Sequence, residues 1–175
     1  MPEQHQPERT TEQEFHATSS THEVSSEHKK QHAELIKTGL DGLFGQLSSY
    51  LSEQECARIR AAFAVADAAH LGQYRQTGEP YITHPIAVAT LCATWKLDSQ
   101  SIKAALLHDV LEDSGIDKIT LANQFGAPVA NLVDGLSKLD KLHFDSKEAQ
   151  QAESFRKMLI AMADDVRVIL IKLAD

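Results

Sequence analysis

The chain has 175 residues, 42% of them hydrophobic, which is enough for one ordinary domain whose core needs no covalent staples. Its formal net charge of −8, with no block of Lys or Arg, argues against a surface built to neutralise a nucleic-acid backbone. No run of about 18 apolar residues is present to span a membrane, and the N-terminus lacks a basic-then-apolar signal pattern.

Two cysteines, Cys56 and Cys92, fall on apolar helical faces, so buried thiols are expected rather than a disulfide. These features together predict a cytoplasmic protein. Eight glycines and five prolines in the whole chain suit a compact helical fold.

Residues 1–32 are polar and irregular, with only Met1, Phe15, Ala17 and Val24 plainly apolar, and are expected to be a disordered leader. The leader holds His5, His16, His22, His28 and His32, whose irregular spacing predicts a solvated tail rather than a metal site. From Ala33 the pattern changes, and residues 33–175 are expected to form one folded domain. Leu35, Ile36, Leu40, Leu43, Phe44 and Leu47 recur at helical spacing, interrupted by Gly39, Gly42 and Gly45, which predicts one or two short helices. Ser52 with Glu55 reads as a capping box, opening a helix to about His70 that Gly72 stops. His70, near that C-terminus, is expected to interact with the last carbonyls.

The segment Tyr74–Pro85 reads as a loop, marked by Gly78, Pro80 and Pro85, that runs into the next helix. Pro85 sits in the first turn, where its missing N–H costs nothing, and His84 is held at a rigid helix N-terminus. Arg75 and Tyr81 in the same loop could stack on a planar ring or grip phosphate. The helix continues to about Trp95, and Leu97-Asp-Ser99 is a turn and cap.

Next comes Ala104-Ala-Leu-Leu-His-Asp-Val-Leu-Glu-Asp113, the stretch with the densest chemistry. Helix positions three and four apart share a face, which places Glu112 beside His108 and Asp109, and Asp113 beside Asp109. An imidazole and three carboxylates on an apolar lead-in call for a cation. Gly115 and Gly126 punctuate the following segment, and Pro128 starts a helix through Leu136. An amphipathic stretch is expected from about Lys147 to Ala163, carrying Phe155, Met158, Leu159 and Met162 on one side. The last segment, Asp165–Asp175, is rich in β-branched residues but has no strand to pair with, so a buried helix is expected. It ends straight after an apolar run, which predicts a fragment of a longer protein.

His84, His108, Asp109 and Asp175 together offer nitrogen and oxygen donors suited to a hard or borderline divalent cation such as Mn²⁺. The absence of cysteine from the set argues against structural zinc. Glu112 and Asp113, one turn on, could take or give a proton.

Four motifs, in order, are Gly78-Glu-Pro-Tyr-Ile-Thr-His-Pro85, the 104–113 stretch, Gly135-Leu-Ser-Lys-Leu-Asp140 and Arg167-Val-Ile-Leu-Ile-Lys-Leu-Ala-Asp175. From about Leu43 to the end the chain resembles the N-terminal hydrolase domain of RelA/SpoT homologues, closest to the SpoT type. These bacterial enzymes make and degrade the alarmone (p)ppGpp of the stringent response. The resemblance implies an all-α HD-domain helical bundle and one Mn²⁺ held by His84, His108, Asp109 and Asp175. It implies that Glu112 and Asp113 activate and position the attacking water.

Arg75 matches the loop arginine that packs on guanine, with Gln76, Thr77 and Tyr81 in the same substrate pocket. Gln76 stands where many relatives carry Lys. The implied reaction removes the 3′-pyrophosphate of the guanine nucleotide, giving GDP or GTP plus pyrophosphate. The family's final motif continues beyond Asp175 with Arg-x-His-Asn, and further domains, including a synthetase, are expected in a longer parent. Two other readings fit the residues: an HD phosphohydrolase acting on another nucleotide, and a non-catalytic regulatory helical module.

Overall fold

The computed structural model describes the backbone of residues 12–140 and 164–175, and side chains from 27 to 139 and from 164 onward. Among these residues the secondary structure is helical, apart from a single isolated bridge between Tyr74 and Pro80. The helices are α1 (Glu12–Leu47), α2 (Glu53–Ala69), α3 (Thr83–Thr94), α4 (Ser99–Leu107), α5 (Val110–Asp113), α6 (Lys118–Phe125), α7 (Ala127–Asp140) and α8 (Val166–Ala174). The all-α class expected from the sequence is the class observed. The expected amphipathic stretch Lys147–Ala163 lies outside the described residues.

The chain divides into two compact units, Met1–Leu35 and Ile36–Asp175. In the first, which holds the stretch expected to be a polar, disordered leader, the backbone from Glu12 onward is helical. Between Glu12 and Thr38 there is no Gly or Pro, and Glu, Gln, Lys and Ala all favour helix. The helix is polar around its circumference, and Glu27–Gln31 are exposed, so it buries no face there. Residues 1–11 are outside the described set. The short helices expected after Ala33 are also a single helix. Gly39 does not break it but serves packing, since a Cβ there would stand 3.0 Å from the Ile86 side chain of α3.

In the second unit α4 is the central element. Every residue from Ser101 to Leu107 is buried, and α4 touches α2, α3, α7 and α8. A helix apolar on all sides is stable only when it is surrounded, and that surrounding fixes where its last residue, followed by His108, must emerge. The core includes Leu43, Leu47, Ile59, Ile102, Leu106, Leu107, Leu132, Leu136 and Ile171.

Side-chain caps set the helix starts. Ser52 and Glu55 form the expected capping box. Asp98 accepts from the Ser101 N–H at 2.8 Å, Asp117 from the Thr120 N–H at 2.8 Å, and Asp165 from the Arg167 N–H at 3.0 Å. The last segment is helical as expected, although only Val168 and Ile171 are buried and Leu173 is 72% exposed. Arg167 fastens its start to α4, reaching Asp98 at 2.7 Å and Gln100 at 3.0 Å. Cys92 is buried and Cys56 half-buried, both as free thiols.

Candidate active site

The helix expected across 104–113 is interrupted. α4 ends at Leu107, and the Glu112 N–H bonds to Asp109 O at 3.0 Å, a tighter turn than the α-helical pattern. The break turns the His108-Asp109 pair into a corner between α4 and α5. His84 comes to the same place from the first turn of α3, and Asp175 from the end of α8.

His108 is 3% exposed, and its Nδ1 lies 2.8 Å from Ala105 O, so Nδ1 carries the proton and donates to that carbonyl. This leaves the Nε2 lone pair facing the corner. Nε2 is 3.0 Å from Asp109 Oδ2 and 3.3 Å from Asp175 Oδ1, yet it is buried without hydrogen-bond geometry to either. Asp175 Oδ1 is also 2.9 Å from His84 Nε2.

A lone pair and two carboxylate oxygens gathered this closely repel one another unless a proton or cation lies among them. The protein alone resolves this with a proton. Burial pulls the His108 imidazole down, but Asp109 and Asp175 more than offset it and raise it to about 10. The imidazoles of His108 and then His84, close against it, hold the Asp175 carboxyl far below the usual range. Ligand atoms of His84, His108 and Asp109 all lie within 4.8 Å of one another. With Asp175 Oδ1 against both histidines, the corner offers borderline N and O donors that fit a divalent cation.

Tyr81, expected in the substrate-pocket wall, is half-buried beside the corner. Its hydroxyl donates to Asp109 Oδ2 at 2.6 Å, and burial followed by that bond raises its pKa. Arg75, Gln76 and Thr77 are exposed on a tight turn, closed by Arg75 N–H to Glu79 O at 2.9 Å and Gly78 N–H to Arg75 O at 2.9 Å. Gly78 takes φ +89°, which a side chain would strain. Glu112 and Asp113 are exposed on α5, one turn beyond the corner.

Two further residues belong to the site. His70 was expected to meet the helix-end carbonyls. It is instead buried, its ring 4.7 Å from the Tyr81 ring and its Nδ1 2.9 Å from Gln73 Oε1 and 3.9 Å from Asp113 Oδ2. The trace in the sequence was a histidine in an alanine-rich apolar run, three residues before an amide. Ser137 donates to Glu112 Oε1 at 2.6 Å from α7. Nothing local marks a serine as the partner of a carboxylate 25 residues away.

Residues 62–175 match the HD domain family. Over 129 residues the chain is 55% identical to the bifunctional (p)ppGpp synthase/hydrolase SpoT of Escherichia coli (strain K12), covering 74% of this chain and 18% of that protein. It is 53% identical over 135 residues to the guanosine-3′,5′-bis(diphosphate) 3′-pyrophosphohydrolase of Vibrio cholerae, covering 77% and 19% respectively. The chain thus spans less than a fifth of the length of these relatives. A solved metazoan orthologue of SpoT, described as hydrolysing ppGpp, superposes with a TM-score of 0.51 at 29% identity, covering 71% of this chain and 67% of that one. No helix among the described residues is long and apolar enough to cross a membrane. A helical corner that gathers His84, His108, Asp109 and Asp175, within a region matching over residues 62–175, makes this chain a member of the HD domain family.

Proposed function

We propose that this chain is the hydrolase region of a longer, cytoplasmic protein of the RelA/SpoT type. It removes the 3′-pyrophosphate of (p)ppGpp with the help of Mn²⁺. The observation that carries this reading is the unsatisfied His108 Nε2, facing two carboxylates beside His84, with two more carboxylates one turn away. The activities for which the relatives are named supply the substrate class.

His84, His108, Asp109 and Asp175 hold the cation. When bound, it acidifies a water and polarises a phosphoryl oxygen. The products, GDP or GTP and pyrophosphate, require that water oxygen adds to the phosphorus on O3′, that the O3′–P bond breaks, and that O3′ gains a proton. Glu112 takes the proton from the attacking water, and Asp113 orients that water and steers a proton toward O3′. Both are exposed, so they reach solvent and substrate without rearranging the core. Arg75 stacks on the base from its exposed turn, with Gln76 and Thr77 beside it and Tyr81 at the pocket's inner edge.

The test is pyrophosphate release from ppGpp by this chain, with Mn²⁺ titrated against Mg²⁺ and Zn²⁺. Turnover should peak with Mn²⁺ and be lost in Glu112→Gln and Asp113→Asn. Faster turnover of an ordinary nucleotide would move the assignment to another HD phosphohydrolase. No turnover and no stoichiometric metal would make the chain a regulatory module.

A further inference from the structure

The motif Gly135-Leu-Ser137 has no role in the chemistry described so far. We infer that Ser137 is a positioning residue that aims Glu112 at the attacking water, and that α7 couples the acidic pair to the metal corner. This rests on the proposed hydrolase reading.

A serine inside a helix ordinarily bonds back to the carbonyl one turn earlier. Ser137, 3% exposed, instead donates across to Glu112 Oε1 at 2.6 Å. Among the described residues no other side chain is bonded to that carboxylate. An ionised carboxylate only accepts hydrogen bonds, so a donor on Oε1 fixes its plane and leaves Oε2 free to accept from water.

Glu112 needs this support because α5 is only four residues long. A single turn cannot hold a three-torsion side chain in one rotamer. The 14-residue α7 supplies the rigidity.

Two residues earlier, Gly135 points elsewhere, because helix positions i and i+2 do not share a face. A Cβ at Gly135 would stand 3.0 Å from Val168 Cγ2, so α7 closes on α8, the helix that ends in Asp175. One turn of α7 therefore meets the acidic pair on one side and the carrier of a metal donor on the other. The motif sets the spacing between them.

The experiment compares Ser137→Ala, Ser137→Thr and Ser137→Val in this chain, reading kcat and KM for ppGpp, the Mn²⁺ binding isotherm, and chemical unfolding. Ser137→Ala should lower kcat about 10- to 100-fold, with KM and Mn²⁺ affinity unchanged. Thr should recover most of the loss and Val none, since the two differ by the hydroxyl alone. With Glu112→Gln already in place, Ser137→Ala should add no further loss. Gly135→Ala should do the opposite, weakening Mn²⁺ binding through α8.

Wild-type kcat in Ser137→Ala, equal activity in Thr and Val, or full additivity with Glu112→Gln would overturn the assignment. If the wild-type chain does not turn over ppGpp, the hydrolase reading fails. The unfolding cycle of Ser137→Ala with Glu112→Gln then decides the contact alone, and additive losses there refute it.

Discussion

Tyr81→Phe isolates one hydrogen bond at the metal corner. The phenol donates to Asp109 Oδ2 at 2.6 Å, while its ring packs 4.7 Å from His70 and 5.9 Å edge-on to His84. Phe keeps the ring and deletes the donor. A hydrogen bond to a charged group contributes about 1.5–3 kcal/mol, which caps the effect on Mn²⁺ affinity at roughly 150-fold. The bond exists before the cation arrives, so only part of it appears in Kd.

The part that appears is the ordering of the Asp109 carboxylate, about 0.5–1.5 kcal/mol for a freed side chain, or roughly 2- to 12-fold. A further contribution comes from the changed basicity of a ligand that has lost its outer partner, for which 10- to 100-fold losses are typical. The expected Kd therefore rises from about 20-fold up to the roughly 150-fold cap, and whatever part of the bond does not appear in Kd lowers the melting temperature of the metal-free protein. Calorimetric titration of Mn²⁺ into metal-free protein measures this, with Asp109→Asn as the control that abolishes binding. A Kd unchanged or tighter in Tyr81→Phe, alongside a dead control, refutes the role given to Tyr81.

Leu106→Ala empties a fully buried site on α4 and should cost about 2–5 kcal/mol in urea unfolding; a loss below 1 kcal/mol would mean α4 is not the centre of the core. Arg167→Ala unties α8 from Asp98 and Asp165 and should cost about 1 kcal/mol, limited because Asp98 is half-exposed. The loss should shrink in acid. Arg167 holds Asp165 below its ordinary 3.8, and for Asp98 burial is more than offset by Ser101 and Arg167. Stability from such lowered carboxylates is present above that value and fades as pH falls through the folded ones.

His108 gives the opposite sign. Its folded value of about 10 lies above the ordinary 6.5. Its contribution to the metal-free fold is full below 6.5 and fades as pH rises toward 10. Mn²⁺ must displace that proton, so binding between pH 7 and 9 should release about one proton and tighten about tenfold per pH unit. Calorimetry in buffers of different ionisation enthalpy reads this release, and finding none removes the shared proton from the account.

Much of the molecule was legible along the chain because its causes are local. The capping box at Ser52, the cap at Asp98, and the apolar spacing of α2, α3, α4 and α7 depend on neighbours within one or two turns. The His-Asp pair stood out because charge on an apolar lead-in is costly wherever it lies. Gly39 misled for a related reason. Its helix penalty is local, while the close approach of Ile86 that uses the missing side chain is not.

What required the tertiary structure was every relation across helices. The break after Leu107 has no turn residue to announce it and arises where the buried α4 meets its packing partners. Tyr81 was placed in the pocket wall on sequence grounds, and only the fold joins its hydroxyl to Asp109, 28 residues on. Ser137 and His70 are ordinary residues by type and gain their meaning from what α7 and α2 bring beside α5. Sequence by itself determined which groups could do chemistry, because that is a property of side chains and their spacing. Tertiary packing decided which of them meet, because a hydrogen bond requires atoms within about 3 Å, and helix periodicity carries that precision only a few residues.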